Sequence, residues 1–283
     1  MGLINTSIEK KFCAGIVTYN PDLEKLDTNI AEIIDQVEEV LICDNGSNNL
    51  SDIKKLMKGY PKGQLLTFSE NKGIAAALNC LAREAFAKGY GWILTLDQDS
   101  VCPSNLINTF EQYTDDNIAT LSPKIVYRNN EQYNTLPNSN LEEVQWAITS
   151  ASFTNLKVWE KIDGFDEKLF IDKVDYDFCI RARREGYKIL KINNIKLIHE
   201  LGNLKCRKVF KRTIYVTNHS AKRRYYMIRN VFYLSGKLNV GHPWEHTIKN
   251  VVKIIFFEDN KMEKVKEIKK GIIDGHKMKR NNK

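Results

Sequence analysis

Short apolar runs alternate with stretches of helical periodicity along the first hundred residues of the chain. The runs typical of buried strands fall at residues 12–17, 39–43, 64–68 and 93–96. Helical spacing follows Pro21, which can open a helix at its first position, and again follows Gly73, with Gly89 as the expected end. Strands that alternate with helices predict parallel βαβ units. We therefore expect an α/β fold with a central, mostly parallel sheet flanked by helices.

Three of these predicted strands end in polar clusters. The clusters are Thr18-Tyr19-Asn20, Asp44-Asn45-Gly46-Ser47 and Asp97-Gln98-Asp99. In open α/β sheets, ligands bind beyond the carboxyl ends of the strands, and those ends share one rim of the sheet. The three clusters are therefore expected to form a single site. Neither a Rossmann glycine fingerprint nor a P-loop motif occurs in the sequence, so anion binding should fall to side chains and metal.

The acidic cluster carries the most specific chemistry. Asp97 and Asp99 are one residue apart at the end of a buried strand, where two carboxylates are costly unless a positive charge lies between them. A divalent cation that bridges the two acids to a diphosphate is one solution, because hard cations take oxygen ligands from carboxylates and substrate phosphates. The alternative is a strand-end loop with two solvated acids.

A second candidate acid lies in a helical segment further along the chain. Asp175 shares one helical face with Phe178, Cys179 and Ala182, whereas Asp177 lies on another face where it can pair with Arg181. Asp175 is thus either a helix N-cap or a catalytic base near the cap. Asp172, one turn earlier, is a weaker rival for the catalytic role.

The middle of the chain has a mixed pattern. Strands are expected at residues 118–121, 124–127 and 144–153, and two short strands at 188–198. The last of these ends in His199. A histidine there is commonly a surface or capping residue, and it can also ligate a metal through a neutral ring nitrogen.

Composition and charge divide the chain into two parts. Residues 205–283 contain 21 Lys or Arg and 6 Asp or Glu, whereas the preceding 204 residues contain 22 and 29. We therefore expect a catalytic domain over residues 1–204 and a basic helical region over 205–283, which packs on it and favours an anionic partner. No nucleic-acid-binding motif is present, so nucleic acid is not expected. The six cysteines contain no C-x-x-C pair and are expected to be reduced thiols.

The basic region includes an amphipathic helix. Its apolar positions, Ile248, Val251, Val252, Ile255 and Phe256, follow helical spacing, and Lys249 and Lys253 lie beside them. We expect this stripe to dock on the protein body, with membrane contact at its basic rim. The alternative is a helix that lies on an anionic lipid surface.

The ordered motifs resemble those of family 2 glycosyltransferases of GT-A fold, and most closely the bacterial rhamnosyltransferases. The segments that carry the resemblance are FCAGIVTYNP, VLICDNGS, ENKGIAAALN, LTLDQDS, FIDKVDYDFCIRARREGY, IHELG and RRYYMIRN. They cover about residues 10 to 235 of the chain. One departure stands out: many relatives carry Glu-Asp where this chain has Val174-Asp175, so a single acid remains at that pair.

The resemblance implies roles for particular residues. Nucleotide-sugar contacts fall on Thr18, Tyr19, Asn20, Asp44, Asn71, Gly73 and Asp97, with Gly73 allowing close backbone approach. Mg²⁺ or Mn²⁺ would be held by Asp97, Asp99 and His199, and Asp175 would be the general base. Arg229 is either a contact to a donor diphosphate or acceptor phosphate, or a helix-surface charge or ion-pair partner.

The resemblance also implies an activity. It is inverting, metal-dependent transfer of a sugar, L-rhamnose from dTDP-rhamnose in the first instance, onto a lipid-linked or growing cell-surface polysaccharide such as O-antigen or capsule. The partners would be a dTDP- or UDP-sugar donor, a polyprenyl-diphosphate-linked saccharide acceptor and the inner membrane surface, for a cytoplasmic protein peripheral at that membrane. Alternatives are transfer of galactofuranose, glucose or N-acetylglucosamine from a UDP-sugar, a non-catalytic nucleotide-sugar-binding subunit, or a basic lipid-surface adaptor.

Overall fold

A computed structural model describes residues 11–127, 139–199, 205–209, 212–216 and 218–280 of the chain. For Tyr127, His199 and the residues within 205–216 it describes the backbone alone.

The first half of the chain forms four βα units. In chain order the elements are β1 Phe12–Thr18, α1 Leu23–Ile34, β2 Glu39–Asp44, α2 Leu50–Met57, β3 Gly63–Thr67, α3 Ile74–Ala87, β4 Trp92–Asp97 and α4 Leu106–Glu111. All four predicted strands are confirmed. Helix α1 begins later than expected, because Asp22 and not Pro21 caps it, accepting hydrogen bonds from the backbone N–H groups of Glu24 and Lys25.

The second half is less regular. It contains β5 Ile118–Tyr127, β6 Leu141–Glu143, β7 Ser152–Asn155, α5 Leu156–Lys161, α6 Val174–Arg184, β8 Lys188–His199, β9 Lys205–Val209, β10 Arg212–Val216, α7 Ala221–Lys237, α8 Pro243–Phe257 and α9 Lys261–Arg280. The region after residue 204 therefore opens with an antiparallel strand pair, β9 and β10, before it becomes helical.

The central sheet has eight strands in the order β3-β2-β1-β4-β7-β5-β8-β6. Strands β3, β2, β1 and β4 are parallel to one another, as are β5 and β8, whereas β7 and β6 run antiparallel to their neighbours. The polar clusters at the ends of β1, β2 and β4 consequently lie on one rim, as the sequence predicts. Apolar side chains pack on both faces of the sheet in two separate clusters.

Three strand predictions in the middle of the chain are wrong in detail. The strands expected at residues 118–121 and 124–127 form the single strand β5. Residues 144–153 are not one strand, since only Ser152 and Phe153 belong to β7. The preceding backbone turns to meet β4, where the Thr95 hydroxyl donates to the Thr149 carbonyl at 2.7 Å. Residues 188–198 form one continuous strand and not two. A register shift against β5 near Pro123 absorbs the polar interruption.

The C-terminal helices pack against the body and against each other. Lys237 at the end of α7 donates to Asp166 at 2.6 Å and to Asp177 at 2.7 Å, and Asp177 also pairs with Arg181 at 2.8 Å as the sequence predicts. A second buried group joins three helices, since Arg224 pairs with Glu258, which Lys264 contacts at 2.9 Å. Buried charges are costly unless paired, so these contacts fix how the helices sit.

The predicted docking of the α8 apolar stripe on the body is wrong for most of its length. Ile248, Val252, Ile255 and Phe256 are exposed, and only Val251 packs against the small apolar cluster between α7, α8 and α9. The buried residues of α8 are Thr247, Asn250 and Ile254. Asn250 accepts from the buried Arg224 guanidinium, so a polar contact decides which side of the helix faces inward. Among the described residues, no helix is both long and apolar enough to cross a membrane.

Candidate active site

A cavity of about 790 Å³ opens at the carboxyl ends of β1 and β4 and extends to the loop that precedes α6. It collects residues that are far apart in the chain. Six of the residues to which the resemblance assigns a role line it: Tyr19, Asn71, Gly73, Asp97, Asp99 and Asp175. The rim predicted from the strand ends therefore coincides with a concave site.

The two acids of the D-Q-D motif sit on a tight turn at the end of β4. The Ser100 N–H donates to the Asp97 carbonyl at 3.2 Å, which closes the turn. The Gln98 side chain between the acids accepts from the Tyr19 N–H at 2.9 Å and so ties the turn to the end of β1. Asp97 is partly buried and Asp99 is exposed, and both line the cavity.

Only the backbone of His199 can be placed, since its side chain lies outside the described part of the chain. The neighbouring residue Ile198 forms an isolated antiparallel bridge with Val101, two residues beyond Asp99. Strand β8 therefore brings position 199 toward the acidic turn. The predicted metal contact of His199 stays a prediction.

The donor set at the turn fits a hard divalent cation. Asp97 and Asp99 offer carboxylate oxygens to one cavity, and such a cation takes its other ligands from phosphate oxygens and water. Among the side chains that the structure describes, no group of three His, Cys, Asp or Glu is close enough to hold a metal without such help. The two carboxylates therefore fit part of a metal site, and their binding of a cation stays a prediction.

Thr18, Asn20 and Asp44 do not line the cavity; Thr18 and Asp44 are buried, whereas Asn20 is exposed. The buried Asp44 carboxylate accepts from the Thr18 hydroxyl at 3.0 Å, the Ser47 hydroxyl at 2.5 Å and the Ser47 N–H at 2.9 Å. The Asn20 N–H donates to Ser47 at 2.7 Å. These bonds lock the loop after β1 to the loop after β2, so all three residues shape the rim. Their direct contact with a nucleoside stays a prediction.

Asn71 and Gly73 form the junction between β3 and α3. The Asn71 side-chain amide oxygen accepts from the Gly73 N–H at 2.9 Å and from the Asn45 side-chain amide at 3.2 Å. Gly73 has φ 89°. A Cβ atom there would lie 2.6 Å from the Phe170 carbonyl oxygen, so the close approach that this glycine permits is by Phe170 of the same chain. The substrate contact of Gly73 that the resemblance implies stays a prediction, and Gly73 lines the cavity.

The loop ahead of α6 has an unusual backbone. Phe170, Asp172 and Lys173 all adopt positive φ, at 62°, 65° and 69°. This conformation is sterically strained for residues other than glycine, so contacts from the surrounding structure must stabilise the loop. The Asn230 amide on α7 does so by donating to the carbonyls of Leu169, Ile171 and Asp172 at 2.9, 2.7 and 2.8 Å.

Arg229 belongs to the same clamp. Its guanidinium donates to the carbonyls of Lys168 and Leu169 at 2.5 and 2.9 Å and lies over the Tyr226 ring, which stacks on Phe170. The side chain is buried and does not line the cavity. Neither a surface charge nor an ion pair describes these contacts. A phosphate contact by Arg229 stays a prediction that its position does not favour.

Asp175 lies in the first turn of α6 and faces the cavity. Lys173 occupies the N-cap position, so Asp175 is not the N-cap that the sequence left open. Burial raises the pKa of the Asp175 carboxyl above its ordinary value, and the nearby Asp172 adds to the rise, while the Tyr176 N–H and Lys173 oppose it. A carboxylate with a raised pKa at a cavity wall is suited to accept a proton.

The sequence interpretation missed three cationic or titratable residues of the wall: Lys173, Arg223 and His246. Arg223 pairs with Asp172 at 3.1 Å. Burial lowers the pKa of His246, and Lys173, Arg224 and Lys253 lower it further. The RRYYMIRN segment was a signal for Arg223, but only the packing of α7 shows which of its arginines reaches the cavity.

The fold and the site together define a class of protein. Solved structures similar in fold include the mannosyltransferase PcManGT of Pyrobaculum calidifontis in complex with GDP-Man and Mn²⁺, with TM-score 0.60 at 15% identity over 93% of this chain and 73% of that chain. The S. aureus protein TarS in complex with UDP-GlcNAc has TM-score 0.53 at 15% identity over 94% of this chain and 72% of that chain. The chain therefore has the GT-A fold.

The sequence places the chain within this class. The family model described as glycosyl transferase family 2 matches residues 13–184 of the chain. The dTDP-rhamnosyl transferase RfbF of Shigella flexneri is 32% identical over 93% of this chain and 94% of its own length. The chain belongs to glycosyl transferase family 2 and is a glycosyltransferase, and its resemblance to the bacterial rhamnosyltransferases is confirmed.

Proposed function

We propose that the protein transfers L-rhamnose from dTDP-rhamnose, with inversion at the anomeric carbon and dependence on Mg²⁺ or Mn²⁺. One observation carries this proposal: Asp97 and Asp99 line the same cavity as Asp175, which lies 76 or more positions further along the chain. The rhamnose donor is supported by the similarity to the Shigella enzyme, whose printed name is dTDP-rhamnosyl transferase.

The strand-end side of the cavity would bind the donor. Tyr19, Asn71 and Gly73 line it, and Thr18, Asn20 and Asp44 hold its loops in place and are proposed to meet the nucleoside. Asp97, Asp99 and His199 would hold the cation. When bound, that cation supplies positive charge against the negative charge that grows on the leaving diphosphate. Lys173 and Arg223 add positive charge on the opposite wall.

Asp175 is proposed as the general base. It takes the proton of the attacking acceptor hydroxyl, and the chain offers no second acid at this pair, since Val174 precedes it. Its raised pKa makes the carboxylate a stronger base than an exposed aspartate. Direct displacement by an acceptor hydroxyl, without an enzyme nucleophile, inverts the anomeric centre. The product linkage, compared with the donor by NMR, tests this step.

The acceptor is proposed to be a polyprenyl-diphosphate-linked saccharide at the inner membrane surface, as in O-antigen or capsule assembly. The basic charge of residues 205–283 supports an anionic partner at that end of the chain.

A thermal-shift panel tests the donor assignment. The purified protein is heated with dTDP-rhamnose, UDP-sugars and GDP-sugars, with and without Mn²⁺, alongside Asp99→Ala and the surface control Asp116→Ala. We expect dTDP-rhamnose with Mn²⁺ to give the largest stabilisation, which Asp99→Ala loses and Asp116→Ala keeps. A larger shift with a UDP-hexose would replace rhamnose by that sugar. The absence of any nucleotide-sugar shift would favour a role other than transfer.

A further inference from the structure

Helix α8 carries an apolar face that the protein does not cover. Trp244, Ile248, Val252, Ile255 and Phe256 are 56%, 61%, 46%, 46% and 69% exposed. Their spacing places them on one side of the helix, and we call them the outer face of α8. Monomeric proteins rarely expose contiguous apolar patches of several large side chains unless the patch meets a partner.

This exposure follows from how the helix is held. Thr247, Asn250 and Ile254 are buried against the neighbouring helices, and Arg224 joins Asn250 and Glu258 in a buried hydrogen-bonded group. Turning the outer face inward would break that group and leave a buried charge unpaired, which is costly. The fold therefore maintains the outer face in an exposed position.

The charges around the outer face indicate which partner it fits. Lys249 and Lys253 are exposed and follow the apolar positions around the helix, away from the buried side. Lys249 pairs with Glu245, while the whole region from residue 205 onward has a large excess of Lys and Arg. A second copy of this chain would bring two such basic regions together, whereas an anionic bilayer is complementary to both the apolar side chains and the lysines.

The same helix reaches the active-site cavity. His246 lies between Trp244 and Ile248 in the sequence, and its side chain lines the cavity from the other side of α8. A surface that binds the outer face of α8 would therefore lie close to the active-site cavity.

We propose that the outer face of α8 inserts into the headgroup region of an anionic lipid bilayer and thereby presents the cavity to an acceptor anchored in that bilayer. The presentation of the cavity to an acceptor rests on the proposed function, whereas insertion of the outer face into the bilayer does not. Bilayer binding is expected to need neither nucleotide sugar nor metal, because none of the outer-face residues lines the cavity.

Sedimentation with vesicles tests the proposal on the full chain. The wild type is mixed with vesicles of phosphatidylglycerol and phosphatidylcholine, or of phosphatidylcholine alone, without nucleotide. We expect binding to the anionic vesicles that weakens with salt. The double variant Ile248→Ser with Phe256→Ser should bind about tenfold more weakly or worse, because it removes two large apolar side chains from the membrane contact. Leu141→Ser, an exposed apolar residue on β6, is the matched control and should bind like the wild type.

Three results would overturn the proposal. The first is absence of vesicle binding by the wild type, and the second is vesicle binding that the double variant retains in full. The third is a dimer of the wild type by light scattering that the double variant dissociates, which would make the face a subunit interface. The donor thermal shift is measured on the same samples. If the wild type fails to bind anionic vesicles but keeps its donor shift, the lipid inference alone is refuted. If it binds the vesicles as expected but shows no donor shift, the proposed function alone is refuted.

Discussion

The two walls of the cavity are built in different ways. The strand wall consists of Tyr19, Asn71, Gly73, Asp97 and Asp99 and is organised by the ends of parallel strands within the first hundred residues. The loop wall is the segment from Phe170 to Asp175, and it keeps a strained backbone through Arg229 and Asn230 on α7, some 60 residues later in the chain. The residues proposed to bind the donor thus come from one local part of the chain, whereas the position of the proposed base depends on the C-terminal helices.

The basic C-terminal region therefore contributes to the cavity itself. Helix α7 is part of the active-site architecture, since Asn230 fixes the loop and Arg223 lines the cavity. Four predictions test the division between the two walls, in order of expected effect.

The largest effect is expected from Asp175→Asn on the loop wall. The rate of sugar transfer should fall about 10²–10⁴-fold, since general base catalysis contributes about that factor. Donor affinity, which the strand wall is proposed to supply, should stay near the wild-type value in a calorimetric titration. Asp172→Asn, at a cavity-lining acid three residues before Asp175, is the matched control and should retain most activity. Normal turnover by Asp175→Asn would disprove the base assignment.

A smaller loss is expected from Asn230→Ala, which touches no substrate. It removes three hydrogen bonds to the loop carbonyls, so kcat should fall about 10- to 100-fold through displacement of Asp175. The free energy of unfolding should fall by about 1–3 kcal/mol, measured by urea denaturation.

The donor titration separates this positioning effect from general damage. Donor affinity should change far less than kcat in Asn230→Ala. Asn105→Ala, at the start of α4 where the side chain makes no capping hydrogen bond, should change neither quantity. Equal losses of donor affinity and kcat would show that the two walls are not separable.

The contact between the walls can be probed at Gly73. Gly73→Ala introduces a Cβ 2.6 Å from the Phe170 carbonyl oxygen at a residue with positive φ. Gly89→Ala is the matched control, because φ there is 82° but a Cβ meets nothing within 4 Å. The control should cost about 1–2 kcal/mol for its backbone conformation, and Gly73→Ala should cost more. Equal losses in thermal unfolding would mean that the walls can move apart freely.

The smallest effect concerns pH. Burial raises the pKa of Asp175 in the folded protein above its unfolded value, so the folded state favours the protonated carboxyl and loses stability as pH rises through that pKa. Asp175→Asn cannot ionise. Its Tm should therefore exceed that of the wild type near neutral pH, and the difference should shrink on acidification. Scans from about pH 4 to about pH 8 measure it. A constant difference would contradict the proposed desolvation of Asp175.

Much of the strand wall was predictable because its signals are local. An apolar run that ends in Asp97-Gln98-Asp99 marks both a strand and the chemistry at its end, and parallel connection brings the ends of β1, β2 and β4 to one rim. The loop wall was predicted only as a helical face around Asp175. The positive φ of Phe170, Asp172 and Lys173 has no sequence signal, because none of them is a glycine.

The sequence by itself determined the alternating strands and helices, the acidic turn after β4, the apolar face of α6 and the charge of the C-terminal third. Only the tertiary structure decided that Phe170 packs closely against Gly73 and that the apolar stripe of α8 faces outward. It also decided that Arg229 and Asn230 bind the loop before α6, whereas Arg223 lines the cavity. The physical reason is the range of the interactions. Periodicity and turn chemistry are set by neighbours in sequence, whereas the rotation of a helix is set by buried polar contacts such as Arg224 with Asn250 and Glu258, which join residues far apart in the chain.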